Sequence, residues 1–473
     1  MVFSSTIFTF FFLPIVIVLY FLAKEKYRNY ILLIASLIFY GYGEPKFVYI
    51  MLGSIVLNYL IALGIDILQG KCIRKALMIA AVVLNLGLLY CYKYLDFSIS
   101  LLNKYAGTSL SLYGIVLPIG ISFFTFQALS YVIDVYRGDA KAQRNVFNVA
   151  LYIALFPQLI AGPIVRYNTI ASQIEQRTTS IEKMNAGAKR FMRGFGKKVL
   201  LSNNLAIIAE RVFGSADYAA ESTWMLWLGA ICFSLQIFYD FSGYSDMAIG
   251  LGRIFGFEFE ENFDYPYISK TVTEFWRRWH ISLGRWFRDY VYIPLGGSRT
   301  NTVRCILNLF VVWTLTGIWH GANLTFVLWG LMYFILLVIE KFLVKPEKRE
   351  SKVLRVLWQI FTLVCVNFGW VIFNSQSVSH GARYCLSMIG YYGLHLEMGA
   401  EILGLLREYG FYIIAGLIFS TPVAKMLSNQ IAKNRILNMV KEIILPIAYI
   451  VMFLWAVSFL VLGVHNPFIY FNF

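Results

Sequence analysis

Apolar runs long enough to cross a bilayer recur along this chain from Ile7 to Leu462, with no long polar stretch between them. A spanning helix needs about 20 apolar residues. Lipid offers the backbone no hydrogen bonds, so such runs must close those bonds within themselves, as helices do. Composition agrees: 59% of residues are hydrophobic and 14% charged, against roughly 45–50% apolar and about 25% charged in soluble domains. The expected fold class is an all-α polytopic membrane protein, with residues 1–473 forming one membrane domain.

Spans are predicted near Ile7–Ala23, Tyr30–Tyr42, Phe47–Leu68, Ala76–Leu95, Tyr113–Val135, Val146–Val165, Val199–Phe213, Thr223–Gly252, Cys305–Ile339, Val353–Phe373, Phe411–Leu427 and Ile443–Leu462. The first run lacks a small-residue cleavage pattern, so it is expected to stay as a helix and not to act as a signal peptide. Cys305–Ile339 contains no Asp, Glu, Lys or Arg. As one straight helix it would reach about 52 Å at 1.5 Å per residue, well beyond a hydrocarbon core of about 30 Å. It must tilt or break, and Gly317 and Gly321 are the candidate breakpoints.

The net charge is +15, but the basic residues form short clusters between apolar runs. That pattern sets membrane orientation and argues against nucleic acid as a partner. Lys24–Arg28, Lys71–Lys75 and Arg137–Arg144 are expected on the cytoplasmic side, which places the N-terminus outside. Val146–Val165 then joins two basic segments that belong on one side, so it is read as a re-entrant hairpin broken at Pro157, Gly162 and Pro163. The six cysteines form no CxxC pair and lack histidine spacing, so neither a metal site nor a redox motif is supported.

Ionisable residues within membrane segments are functional candidates by default. His320, in Thr316-Gly317-Ile318-Trp319-His320-Gly321-Ala322-Asn323, is the sharpest. An imidazole exchanges protons near neutral pH, although a structural histidine fits the same position. In Glu274–Tyr290, Arg277, Arg278, Arg285 and Arg288 interleave with Trp276, Trp279 and Trp286. That pattern suits an interfacial helix against membrane lipid, or a site for the phosphates of a coenzyme or carrier. Asp240 and Asp246 lie inside an apolar run and are expected to pair with this basic stretch as structural glue.

Several stretches together resemble the membrane-bound O-acyltransferase family, in particular its bacterial polysaccharide-acetylating branch. They are Pro118–Gln127, Phe156–Arg166, Tyr239–Asp246, Phe275–Arg288, Tyr292–Arg299, Trp319–Asn323 and Asn466–Phe471. The resemblance implies a bundle of about 10–12 membrane helices with re-entrant segments around a funnel. It implies that His320 is the family's essential histidine and that His280 is its second recurrent polar position. Asn323, Trp319 and His280 are then candidates to hold a developing oxyanion or to position the substrate.

The implied activity is acyl transfer, most simply of acetyl, from a thioester to hydroxyls of an extracytoplasmic polysaccharide or to a periplasmic or surface acyltransferase partner. The donor would be acetyl-CoA or an acylated phosphopantetheine carrier, with no tightly bound cofactor, and the location a bacterial cytoplasmic membrane. The alternatives are D-alanyl transfer to teichoic acid from a carrier protein, and transport of polymer or lipid without bond formation.

Overall fold

The computed structural model describes residues 1–346, 351–463 and 465–469, so Tyr470 and Phe471 of the closing motif lie outside the described residues. The described residues are helical and irregular, with no strand among them. Among the described residues eight helices are long and apolar enough to cross a membrane, joined by the shorter apolar Phe8–Leu22. The all-α, multi-pass reading of the sequence holds.

The chain divides into two compact units, Met1–Phe191 with Tyr244–Glu260, and Met192–Gly243 with Glu261–Phe473. The first carries α1 (Phe8–Leu22), α2 (Glu25–Gly43), α3 (Val48–Ile67), α4 (Lys71–Lys93), α5 (Leu95–Ala106), α6 (Ile121–Arg137), α7 (Val146–Ala154) and α8 (Tyr167–Glu175). Glycines in the left-handed region bound α6, Gly120 at φ 78° and Gly138 at φ 82°, a conformation that costs other residues a steric clash. The predicted span from Tyr113 therefore begins later, at Ile121.

Asn145 caps α7 by accepting from Phe147 N–H at 2.9 Å. The helix stops at Ala154, and after one turn at Phe156–Leu159 the chain runs on without helix to Arg166. Every residue from Val149 to Val165 is buried. Non-helical backbone at membrane depth survives only under such cover, so the break expected around Pro157 and Gly162 is present.

Two helices, α9 (Ile181–Gly196) and α10 (Asn203–Phe213), lead to the long α11 (Thr223–Ile254). A Cβ on Gly243 would lie 2.9 Å from Gly194 O and 3.2 Å from Lys198 N. Only glycine permits that approach, and it sets Lys198 beside Asp240. Their side chains are 2% and 0% exposed and pair at 2.6 Å. Asp240 Oδ2 also accepts Ile469 N–H at 2.8 Å, and Lys198 Nζ donates to Pro467 O, so the pair ties down the C-terminal segment. Within the first unit Arg190 pairs with Asp246 at 2.8 Å. The expectation that both carboxylates pair with the arginine-rich stretch is thus corrected: their cations stand on residues 190–198.

The second unit continues through the short helices α12 (Val272–Arg278) and α13 (Ile281–Phe287). It is completed by α14 (Thr302–His320), α15 (Leu324–Val338), α16 (Lys352–Asn374), α17 (Val378–Met388), α18 (Ala400–Phe419), α19 (Val423–Ile431) and α20 (Arg435–Val461). The uncharged run Cys305–Ile339 breaks after His320 and folds back as the α14–α15 hairpin. A Cβ on Gly317 would run into Phe326 O, and one on Gly330 into Trp313 O, so both glycines let the two helices touch at the backbone. The helix predicted at Phe411–Leu427 begins earlier, at Ala400, and ends at Phe419. The charges Glu401, Arg407 and Glu408 in its first half hid that start from a hydropathy reading.

Candidate active site

A cavity of about 850 Å³ opens in the second unit, between α12, α13, α14 and the end of α15. Exposed Arg277, Arg288, Lys341 and Lys345 form its rim, and buried Trp279, His280, Trp313 and Thr316 line its inner wall. Arg285 lines it too. Arg278 does not: its guanidinium is held by Glu274 at 3.0 Å and Asp264 at 3.1 Å. Of the four predicted arginines, the structure brings three to the cavity and turns one into an internal tie. Among the described residues Arg277 has no ion pair, whereas Arg288 is held by Asp289 at 2.7 Å.

The helices presenting these groups are short and need help at their ends, where backbone N–H groups are orphaned. Thr271 Oγ1 accepts from Glu274 N–H at 3.0 Å. The buried Glu340, just past α15, accepts from Val272 N–H at 2.7 Å and Thr273 N–H at 2.8 Å. A carboxylate at a helix N-terminus is stabilised by the dipole. Glu340 therefore locks α12 and the Arg277 it carries to the hairpin that bears His320.

His280 starts α13 with backbone φ 44° and ψ 54°, a region that costs an L-residue about 1–3 kcal/mol unless the surroundings enforce it. Asn262 supplies that enforcement. Its carbonyl oxygen accepts Ile281 N–H at 2.9 Å, and its Oδ1 accepts Ser282 N–H at 3.2 Å and Ser282 Oγ–H at 2.9 Å. His280 Nδ1 lies 3.2 Å from the same Oδ1. Because that oxygen is an acceptor, Nδ1 carries the proton, and Nε2 is the basic nitrogen of the neutral ring. Burial pushes the His280 imidazole down, to about 3, so the ring is neutral at physiological pH.

His320 is the last residue of α14, one helical turn beyond the cavity-lining Thr316, and is half-buried. Aromatic rings surround it. Trp319, Trp329 and Phe373 have centroids 5.0, 5.0 and 5.1 Å from its own. Trp319 also lies 6.2 Å from His280, so this one indole stands between the two histidines. Asn323 caps α15, accepting Thr325 N–H at 3.1 Å and donating to Gln376 O at 3.0 Å. Both ends of its amide are thereby bound to backbone.

A family model described as MBOAT, membrane-bound O-acyltransferase family, matches residues 140–378. A Pseudomonas syringae protein named probable alginate O-acetylase AlgI is 44% identical over 399 residues, covering 83% of this chain and 76% of its own. The chain belongs to the membrane-bound O-acyltransferase family. A Helicobacter pylori peptidoglycan O-acetyltransferase is 30% identical over 90% of this chain and 87% of its own. A Bacillus subtilis teichoic acid D-alanyltransferase is 29% identical over 55% of this chain and 70% of its own.

As a member of this family the protein is an O-acyltransferase, and the whole cavity, with both histidines, falls inside the matched segment. The family motifs pointed to the arginines and histidines. They did not point to Glu340, Lys341, Lys345, Asn262 or Trp329. Glu340 and Lys341 are the first charges after a long uncharged run, a mark that sequence reading assigns to topology. Trp329 carried no signal apart from its neighbours, because an aromatic in an apolar helix is ordinary packing.

Proposed function

We propose that this membrane-bound O-acyltransferase moves an acetyl group from a phosphate-bearing thioester, acetyl-CoA or an acylated phosphopantetheine, to a hydroxyl of an extracytoplasmic polysaccharide or of an extracytoplasmic acyltransferase that relays it. The observation that carries the reading is the cavity. It has a cationic rim at Arg277, Arg288, Lys341 and Lys345, Arg285 within it, and an inner wall that ends one turn from His320. Cations in a rim attract and orient phosphates, with guanidinium forks adding geometry. A wall of Trp276 and Trp313 suits the thin apolar arm of such a donor. Higher identity and longer coverage with acetylating relatives than with the D-alanyl relative favour acetyl. Relatives named for alginate and peptidoglycan favour a glycan acceptor.

In the proposed step His320 is the general base. Its neutral imidazole takes the proton of the acceptor hydroxyl while that oxygen bonds to the thioester carbon. The tetrahedral oxyanion then collapses, the carbon–sulfur bond breaks, and the imidazolium returns the proton to the departing thiolate. An ester and a free thiol result. His280, neutral and fixed by Asn262, serves as a positioning and hydrogen-bonding group in the same chamber.

The protein resides in a bacterial cytoplasmic membrane with the rim on the cytoplasmic side. Between Lys270 and Arg304 the Lys and Arg residues far outnumber the acids, which are Glu274 and Asp289 alone, and such a loop resists translocation.

The test is acyl groups on the polymer per folded molecule for wild type and His320→Gln. The substitution keeps polarity and approximate size without a usable base, so transfer should fall at least about 10²-fold, the lower end of general-base contributions. Near-normal transfer by folded His320→Gln would remove the base assignment.

A further inference from the structure

Acyl transfer needs a donor aimed at the charge that develops on the carbonyl oxygen, and the family motif leaves that donor unassigned. Asn323 is committed to structure: its Oδ1 caps α15 by accepting Thr325 N–H, and one Nδ2 hydrogen goes to Gln376 O. Trp329 differs. Its side chain is fully buried, and among the described residues its indole N–H finds no hydrogen-bond acceptor. Its ring stands edge-to-face with His320 at 5.0 Å and 81°.

A buried N–H without an acceptor is disfavoured unless something it meets in use accepts from it. The T-shaped neighbours Trp276, at 5.3 Å and 86°, and Tyr333, at 5.2 Å and 74°, offer at most an N–H···π contact, weaker than a bond to oxygen. Trp276 extends the track toward the cavity, which it lines, and its indole N–H is likewise without an acceptor among the described residues.

We infer that the Trp329 indole N–H is the oxyanion donor of this enzyme, holding the thioester carbonyl oxygen beside His320. The inference rests on the transfer reading above. As the acceptor oxygen bonds to the carbonyl carbon and its proton passes to His320, the C=O π pair moves onto oxygen, where Trp329 N–H meets it. When that pair returns, the C–S bond breaks and the thiolate takes the proton back. Trp329 is neither consumed nor ionised. Trp276, one ring nearer the cavity, positions the donor's arm.

The experiment measures CoA thiol release by purified protein in lipid nanodiscs, with acetyl-CoA as donor and acetyl-free alginate as acceptor probe. It compares wild type with Trp329→Phe, Trp276→Phe, His320→Gln and a protein carrying 3-benzothienylalanine at 329, which keeps the ring's shape with sulfur in place of N–H. Removing one oxyanion donor typically lowers kcat by about 10²–10³-fold. That loss is expected for both changes at 329, with donor KM within about twofold of wild type. Trp276→Phe should instead raise donor KM more than it lowers kcat.

If the benzothienyl protein turns over like wild type while His320→Gln is inactive, the N–H assignment fails and the base reading stands. If His320→Gln itself turns over normally, the base assignment fails, and if wild type releases no thiol the transfer reading itself fails. Should Trp329→Phe not fold, the shape-matched residue decides alone.

Discussion

Residues 190–198 and residues 277–288 are both basic segments, and they do opposite work. In the first, Arg190 and Lys198 are buried against Asp246 and Asp240, and Lys198 also grips the C-terminal segment. In the second, Arg277 and Arg285 line an open cavity, whereas Arg278, between them in sequence, is tied to Glu274 and Asp264. A cation whose charge is already matched by a buried carboxylate supports the fold. One that lines a cavity can also meet a ligand's phosphates.

The contrast breaks most easily at Asp240. Replacing it with Asn strands a buried lysine, and removing one partner of such a pair typically costs about 3–5 kcal/mol. Asp240→Asn should therefore lower the yield of folded protein and its midpoint of thermal unfolding, with transfer per folded molecule little changed. The double variant Lys198→Met with Asp240→Leu removes both charges and should recover much of the loss, since an apolar pair of similar size is often no worse. A drop in transfer per folded molecule with stability intact would move this pair into the reaction.

A smaller effect separates the arginines. Arg277→Ala and Arg285→Ala should each raise donor KM by about tenfold, matching about 1.4 kcal/mol, and should weaken its dependence on salt. Arg278→Ala should leave donor KM within about twofold. It should cost about 1 kcal/mol of stability at most, the usual worth of a partly exposed pair. Equal KM effects at 277 and 278, measured by titrating acetyl-CoA at two ionic strengths, would erase the distinction between cavity-lining and tied cations.

A pH-dependent effect concerns His280. Its folded imidazole is lowered from 6.5 to about 3, so between those values the unfolded chain binds the proton that the folded ring refuses. The stability held above pH 6.5 is then lost as pH falls toward 3. His280→Asn should flatten that part of the stability profile. Thermal unfolding of both proteins from pH 7 to pH 4 checks this, and parallel profiles would show that His280 is not the neutral, buried ring described here.

Much of the fold was legible in the sequence because lipid enforces a simple rule. Apolar runs become helices, and a run too long for the bilayer must break, as Cys305–Ile339 does after His320. The starts of helices with charges in their first half, such as Ala400–Phe419, were less legible, since hydropathy falls there while backbone hydrogen bonding continues. In the site, His320 stood out as an ionisable residue in an uncharged run. Asn262 did not, because an asparagine in a loop has many uses and only its bonds to the 280–282 turn reveal this one.

By itself the sequence determined the solvent, the helical class and the family resemblance, since each follows from local pattern or from motifs contiguous in the chain. Only the tertiary structure decided which cation meets which acid, that Asn323 is a helix cap, and that Trp329 stands beside His320 with a buried N–H. Those facts depend on atoms brought together from distant positions. An Asp240 carboxylate looks the same in sequence whether its partner is Lys198 or an arginine near residue 280, and the close approach that Gly243 permits makes the choice.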